Sequence, residues 1–126
     1  ERVQRRAARY TCNRYHNTSS VTDMLQELEW PTLERRRTES RIVMMYKITF
    51  QLVAIPLQLY IEPVQRQTRG HHPYRYIRII STKDYYNYAF FPRTIAQWNT
   101  LPMSVVMAPS LESFKGAIAT TPIATY

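Results

Sequence analysis

Glycine is nearly missing: of 126 residues, only Gly70 and Gly116 are glycines. That excludes a glycine-rich loop of the kind that cradles phosphate through its backbone. Cysteine occurs once, as Cys12, so neither an internal disulfide nor a cysteine-based zinc site can form, and a reducing intracellular compartment fits. Histidine is limited to His16, His71 and His72. The adjacent pair points to different sides of an extended chain and has no acidic cluster beside it, so no metal site is expected.

Long apolar runs are absent as well. The longest, Phe50 to Ile61, is interrupted by Gln51, Pro56 and Gln58 and is too short to span a bilayer. The opening ERVQRRAARY lacks the apolar centre of a signal peptide. It starts within a helical pattern, without Met and without a cap, as a segment of a longer polypeptide does. Asp23, Glu62 and Asp84 stand in unrelated contexts, so no carboxylate pair is set up for acid–base or two-metal chemistry. No Ser or Cys nucleophile has an identifiable base and orienting group. The expectation is a chain with no catalytic residue, no cofactor and no metal, and so not an independent enzyme.

What is present is positive charge. Lys and Arg total 17 against 9 acids, a formal net charge of +8, and 14 of the 17 are Arg. The planar guanidinium fork matches phosphate and stacks on rings, so this bias favours a polyanionic partner, nucleic acid first. A soluble basic surface is the plainer alternative. Hydrophobic residues make up 44% and aromatics 13%, enough for a packed core.

Val3, Ala7 and Tyr10 form a narrow apolar stripe on an amphipathic helix over residues 2–10, with Arg2, Arg5, Arg6 and Arg9 on the other side. A polar loop follows. Ser20 and Asp23 make a capping box for a helix carrying Val21, Met24, Leu25 and Leu28, which ends near Trp30 before Pro31. Thr32 caps the longest helix, expected over 33–55, whose apolar second half predicts the most buried element. Pro56 stops it.

Residues 61–90 read as an extended or hairpin-like connection, with RYIRII the best strand candidate. Residues 66–93 hold six Lys/Arg and one acid. Two short helices follow, the first carrying Phe91, Ile95 and Trp98, the second capped by Ser110 and carrying Leu111, Phe114 and Ile118. The pattern predicts a mainly α protein, a small helical bundle of about five helices. Its segments are 1–60, the connection 61–90, short helices at 91–119 packing on the long one, and a frayed tail at 120–126.

Phe91, Ile95, Trp98, Leu111 and Phe114 are the expected core anchors, because a short helix is stable only through packing. Arg66, Arg69, Arg75, Arg78 and Arg93 are candidates for a phosphate-binding groove, interleaved with Tyr74, Tyr76, Tyr85, Tyr86 and Tyr88. Cations set among aromatics make up a strand-binding surface, with rings on bases and Arg on phosphate. Arg2, Arg5 and Arg9 on the first helix are further candidates.

The ordered series ERVQRRAARY, SSVTDMLQELEWPTLERRRTESR, YKI, LVAIP, TRGHH, FFPRTIAQWNTLP and APSLESFK resembles the C-terminal part of reverse transcriptases from non-LTR (LINE-type) retrotransposons, the jockey and CR1-like groups in particular. The resemblance covers residues 1 to about 116. It implies the thumb and the segment beyond it, following the polymerase palm. It also implies helices that help to hold an RNA or RNA–DNA template–primer non-specifically, with the palm as partner and the nucleus as site of action. The catalytic aspartates of that family are not in this chain. Where this chain reads ELEWP, relatives commonly read ELGWP, and they carry a glycine near Gln51. If those positions need positive φ, each loss of glycine costs up to about 1 kcal/mol. The alternatives are a structural or protein-interaction helical module, or a decayed transposon remnant without activity.

Overall fold

Helix covers about half of residues 1–124, the part described by the computed structural model. The elements are α1 (Arg2–Cys12), α2 (Val21–Glu27), α3 (Leu33–Thr49), α4 (Asp84–Asn87), α5 (Phe90–Trp98), α6 (Met103–Val106) and α7 (Leu111–Thr120), with a 3-10 turn at Leu57–Leu59. Among the described residues there is no strand, only an isolated antiparallel bridge between Pro63 and Tyr76. The chain is mainly α.

Local chemistry sets where the helices begin. The Ser20 hydroxyl accepts from the Asp23 N–H at 3.3 Å, Thr32 from the Arg35 N–H at 3.2 Å, and Ser110 from the Ser113 N–H at 3.2 Å. Each bond satisfies one of the N–H groups that a helix start leaves unpaired.

Three helix ends share one device. Asn13, Glu29 and Gln51 follow α1, α2 and α3 with φ of 52°, 54° and 57°. In each case the next N–H reaches back five residues: Arg14 to Arg9 at 3.1 Å, Trp30 to Leu25 at 2.9 Å, Leu52 to Lys47 at 2.8 Å. This is the Schellman arrangement, which normally places glycine at the left-handed position. In this chain non-glycine residues occupy all three. The turn at Gln51 also corrects the expected length of the long helix. It stops at Thr49, not at 55, because the left-handed residue turns the chain before Pro56 is reached.

Two compact units divide within α3, Glu1–Thr38 and Glu39–Tyr126, whereas the composition had suggested a first segment extending to 60. In the first unit α1 packs on α2, burying Ala8 and Met24 completely. The expected stripe on α1 is not the packed one. Val3 and Tyr10 are 81% and 78% exposed, and Ala7 is exposed too, while Gln4, Ala8 and Cys12 lie on the covered side. With only 11 residues and a small contact surface, α1 packs through its smallest side chain, which allows close approach.

The second unit holds the main core. Ile42, Met45 and Tyr46 of α3 meet Ile95 and Trp98 of α5, Val105 and Val106 of α6, and Phe114 and Ile118 of α7, joined by Ile61, Tyr76 and Leu101. The Tyr46 ring stacks on Phe114 with centroids 4.2 Å apart, and its hydroxyl donates to the Ala108 carbonyl at 3.2 Å. Burying Trp98 and Phe114 stabilises the unit by roughly 1.5–3 kcal/mol each. Phe91 and Leu111 pack at the edge of this core, half-buried. The tail does not fray where expected. α7 runs through Thr120, Ile123 packs against the core, and the Ala124 carbonyl accepts from Gln97 Nε2 at 3.0 Å. Thr125 and Tyr126 lie outside the described residues.

Candidate nucleic-acid interface

The connection between α3 and α5 is held by the last turn of α5. Trp98 Nε1 donates to the Tyr74 carbonyl at 2.8 Å. Asn99 Nδ2 donates to the Tyr76 carbonyl at 2.7 Å, while Asn99 Oδ1 accepts from the Tyr76 N–H at 3.0 Å. The Asn99 amide thus pairs with one extended residue as a neighbouring strand does. In return His72, 1% exposed, bonds through Nε2 to the Trp98 carbonyl at 2.9 Å and sets its ring edge against the indole. That carbonyl lies in the last turn of α5 and also accepts from the Leu101 N–H at 3.1 Å. The heavy side chains of FFPRTIAQWNTLP therefore build core and clamp the connection.

The connection itself is hairpin-like. Val64 N–H donates to the Arg75 carbonyl at 2.9 Å and Ile77 N–H to the Glu62 carbonyl at 2.8 Å, flanking the Pro63–Tyr76 bridge. Between these arms runs an exposed loop, where Gly70 takes φ 86°. Arg66 and Arg69 sit on that loop, both exposed. Arg75 Nη2 donates to Thr68 Oγ1 at 2.9 Å, closing the loop's base. A single bridge replaces the expected strand, because prolines at 63 and 73 remove the N–H groups that a longer ladder needs.

Beyond Tyr76 the chain forms a second feature. Asn87 grips Ser81 through both backbone groups, donating to its carbonyl at 2.8 Å and accepting from its N–H at 3.2 Å. This fixes the approach to α4, which carries Tyr85, Tyr86 and, just after it, Tyr88, all exposed. A cleft of about 350 Å³ opens there, lined by Arg78, Ile79, Ile80, Asp84, Asn87, Tyr88, Pro92, Arg93 and Ala96. It brings together two cations that lie 15 residues apart in sequence.

The electrostatics of this stretch are one-sided. Arg66, Arg69, Arg78 and Arg93 make no ion pair among the described residues, and Asp84, in the same cleft as Arg78 and Arg93, is bonded to neither. On α1, Arg2 is exposed without a partner among the described residues, Arg5 lies 3.6 Å from Glu1 in an exposed pair, and Arg9 donates to the His16 carbonyl at 3.1 Å. Arg14 pairs with Glu27 at 2.9 Å, and the Glu27 hydrogen bond raises its pKa.

The candidate tyrosines divide. Tyr85, Tyr86 and Tyr88 are exposed on or beside α4. Tyr74, 36% exposed, is held edge-on by Phe50 at 4.9 Å. Tyr76 is removed from the candidate set. It is 6% exposed, its hydroxyl is bonded to Thr49 Oγ1 at 2.9 Å, and burial raises its pKa, so no base can reach its ring. Composition could not separate these rings, because Tyr76 becomes a core residue only through a bridge partner 13 residues earlier. The roles of His72 and Asn99 were also missed. Side-chain bonds to distant backbone leave no periodic trace, and the only local sign was a Trp-Asn pair closing a helix.

No protein-family model, no curated protein and no solved structure matches the chain.

Proposed function

We propose that this chain is a non-catalytic, strand-binding segment of a retroelement reverse transcriptase, holding RNA or an RNA–DNA hybrid through the face built on residues 66–93. The observation that carries the reading is that residues 66–93 hold both unneutralised guanidinium groups, Arg66, Arg69, Arg78 and Arg93, and exposed rings, Tyr85, Tyr86 and Tyr88, with Arg78, Arg93 and Tyr88 sharing one cleft. Cations without acidic partners keep their full attraction for phosphate, and exposed rings offer stacking faces to bases of any sequence. The left-handed backbone at Glu29 and Gln51 also supports the family reading. The resembling reverse transcriptases commonly carry glycine at the first of these places and near the second.

The test is binding of a fluorescent RNA strand to variants of equal charge. R66A/R69A removes two connection cations, and K47A/K115A removes two others. The proposal expects at least tenfold weaker binding for the first pair and under threefold for the second, since one lost phosphate contact is worth about 1 kcal/mol. Equal losses overturn it.

A protein-interaction module is the second reading. A cavity of about 460 Å³ in the first unit, lined by Val3, Ala7, Trp30, Pro31 and Leu33, favours it. On that reading both charge variants bind RNA alike and weakly.

A further inference from the structure

We infer that the cleft between Arg78 and Arg93 receives one unpaired nucleotide, its phosphate on the arginines, its base against Tyr88 and its amino edge on Asp84. The inference rests on the strand-binding reading and names what the strand presents.

The volume, about 350 Å³, lies at the small end of the ~300–1,000 Å³ range of small-molecule sites and admits one nucleotide, not two. The lining is divided by chemistry. Ile79, Pro92 and Ala96 are half-buried and form an apolar floor suited to a ring face. Tyr88, 68% exposed, stands at the rim with its ring free to stack. Arg93 is half-buried, with its Nε enclosed and without a hydrogen-bond partner among the described residues, so its guanidinium is open to an incoming acceptor. Arg78 is exposed and unpaired, a second phosphate donor.

Asp84 decides which nucleotide. A carboxylate that neutralised the arginines would weaken phosphate binding, but Asp84 makes no ion pair with either. Its oxygens are left to accept from a base, and the exocyclic amino groups of adenine, cytosine and guanine are donors there. Uracil has no exocyclic donor, and its single ring N–H lies between two carbonyl acceptors, which a carboxylate repels. Asn87 cannot compete for the base, because its amide is committed to Ser81. A base inside a duplex has both faces stacked and its pairing edge engaged, so only an unpaired nucleotide fits.

The experiment is an NMR titration of the whole chain with AMP, CMP, UMP and inorganic phosphate. AMP and CMP are expected to shift the amides of residues 78–80, 84–88 and 93–96, binding at least fivefold more tightly than UMP and more tightly than phosphate. Y88A is expected to weaken AMP about tenfold, within the range for losing one stacking ring. D84N is expected to abolish the gap between AMP and UMP without loss of fold. The inference is overturned if those amides do not move, if phosphate alone reproduces the shifts, or if the D84N variant keeps the AMP preference. Should RNA binding depend on Arg66 and Arg69 while mononucleotides leave the cleft untouched, the inference falls and the strand-binding reading stands. If mononucleotides fill the cleft but no strand binds, the reading falls instead.

Discussion

Glu29 and Gln51 occupy backbone that favours glycine. Their φ values, 54° and 57°, lie in the left-handed region, where a Cβ crowds the following carbonyl at a cost of about 1 kcal/mol. E29G and Q51G are therefore each expected to raise unfolding free energy by about 1 kcal/mol, less a few tenths for the added freedom of the unfolded chain. Urea denaturation checks this. A lower midpoint in both variants contradicts it. Asn13 tolerates the same conformation better, because its short polar side chain can bond locally. These strained ends could be read in the sequence only where the family resemblance supplied a missing glycine, since neither Glu nor Gln is itself a turn signal.

His72 carries a pH dependence. Burial lowers its pKa from the ordinary 6.5, and its Nδ1 is enclosed without a partner, so the folded chain resists a second proton. Above 6.5 the ring is neutral in both states and contributes nothing. As pH falls below 6.5 the unfolded chain takes up the proton first, so stability declines toward the lowered folded-state value. H72Q keeps a donor for the Trp98 carbonyl but cannot be protonated. Its urea midpoint is expected to fall less than the wild type's between pH 7.5 and 5. An identical decline in both proteins refutes this role for His72.

Among the elements, α5 does most of the organising. One face fills the core with Ile95 and Trp98, and its end clamps the connection through Trp98 and Asn99. N99A leaves the Tyr76 N–H and carbonyl without their side-chain partner. The expected loss is about 2–3 kcal/mol, since each buried backbone group left unsatisfied costs about 1–3 kcal/mol. Hydrogen exchange at the Tyr76 amide should quicken by at least tenfold, and unchanged exchange there excludes the clamp.

Elements with strong periodicity and a chemical cap were legible in the sequence. α2 and α7 start at the expected Ser20 and Ser110, and α5 buries the expected Ile95 and Trp98. Others were not. α4 and α6, four residues each, are shorter than one full repeat of an amphipathic pattern. The α1 stripe misled because packing chose Ala8 over the bulkier Val3 and Tyr10. In the candidate site, charge and aromatic content were visible in composition. Which tyrosine was buried and which arginines shared a cleft depended on contacts between residues far apart in sequence, as with Arg78 and Arg93.

At the scale of the whole molecule, the net charge of +8 draws any polyanion at low salt, so affinity alone cannot identify a binding face. The number of phosphates engaged can. Each contact to single-stranded nucleic acid contributes about −0.7 to the slope of log affinity against log salt. The most direct measurement is that slope for the wild type and for R78A/R93A on one RNA strand, from low to physiological salt. The account predicts a steep wild-type slope that flattens by about 1.4 when the two cleft arginines are removed. A wild-type slope near zero, or the same slope in both proteins, contradicts it.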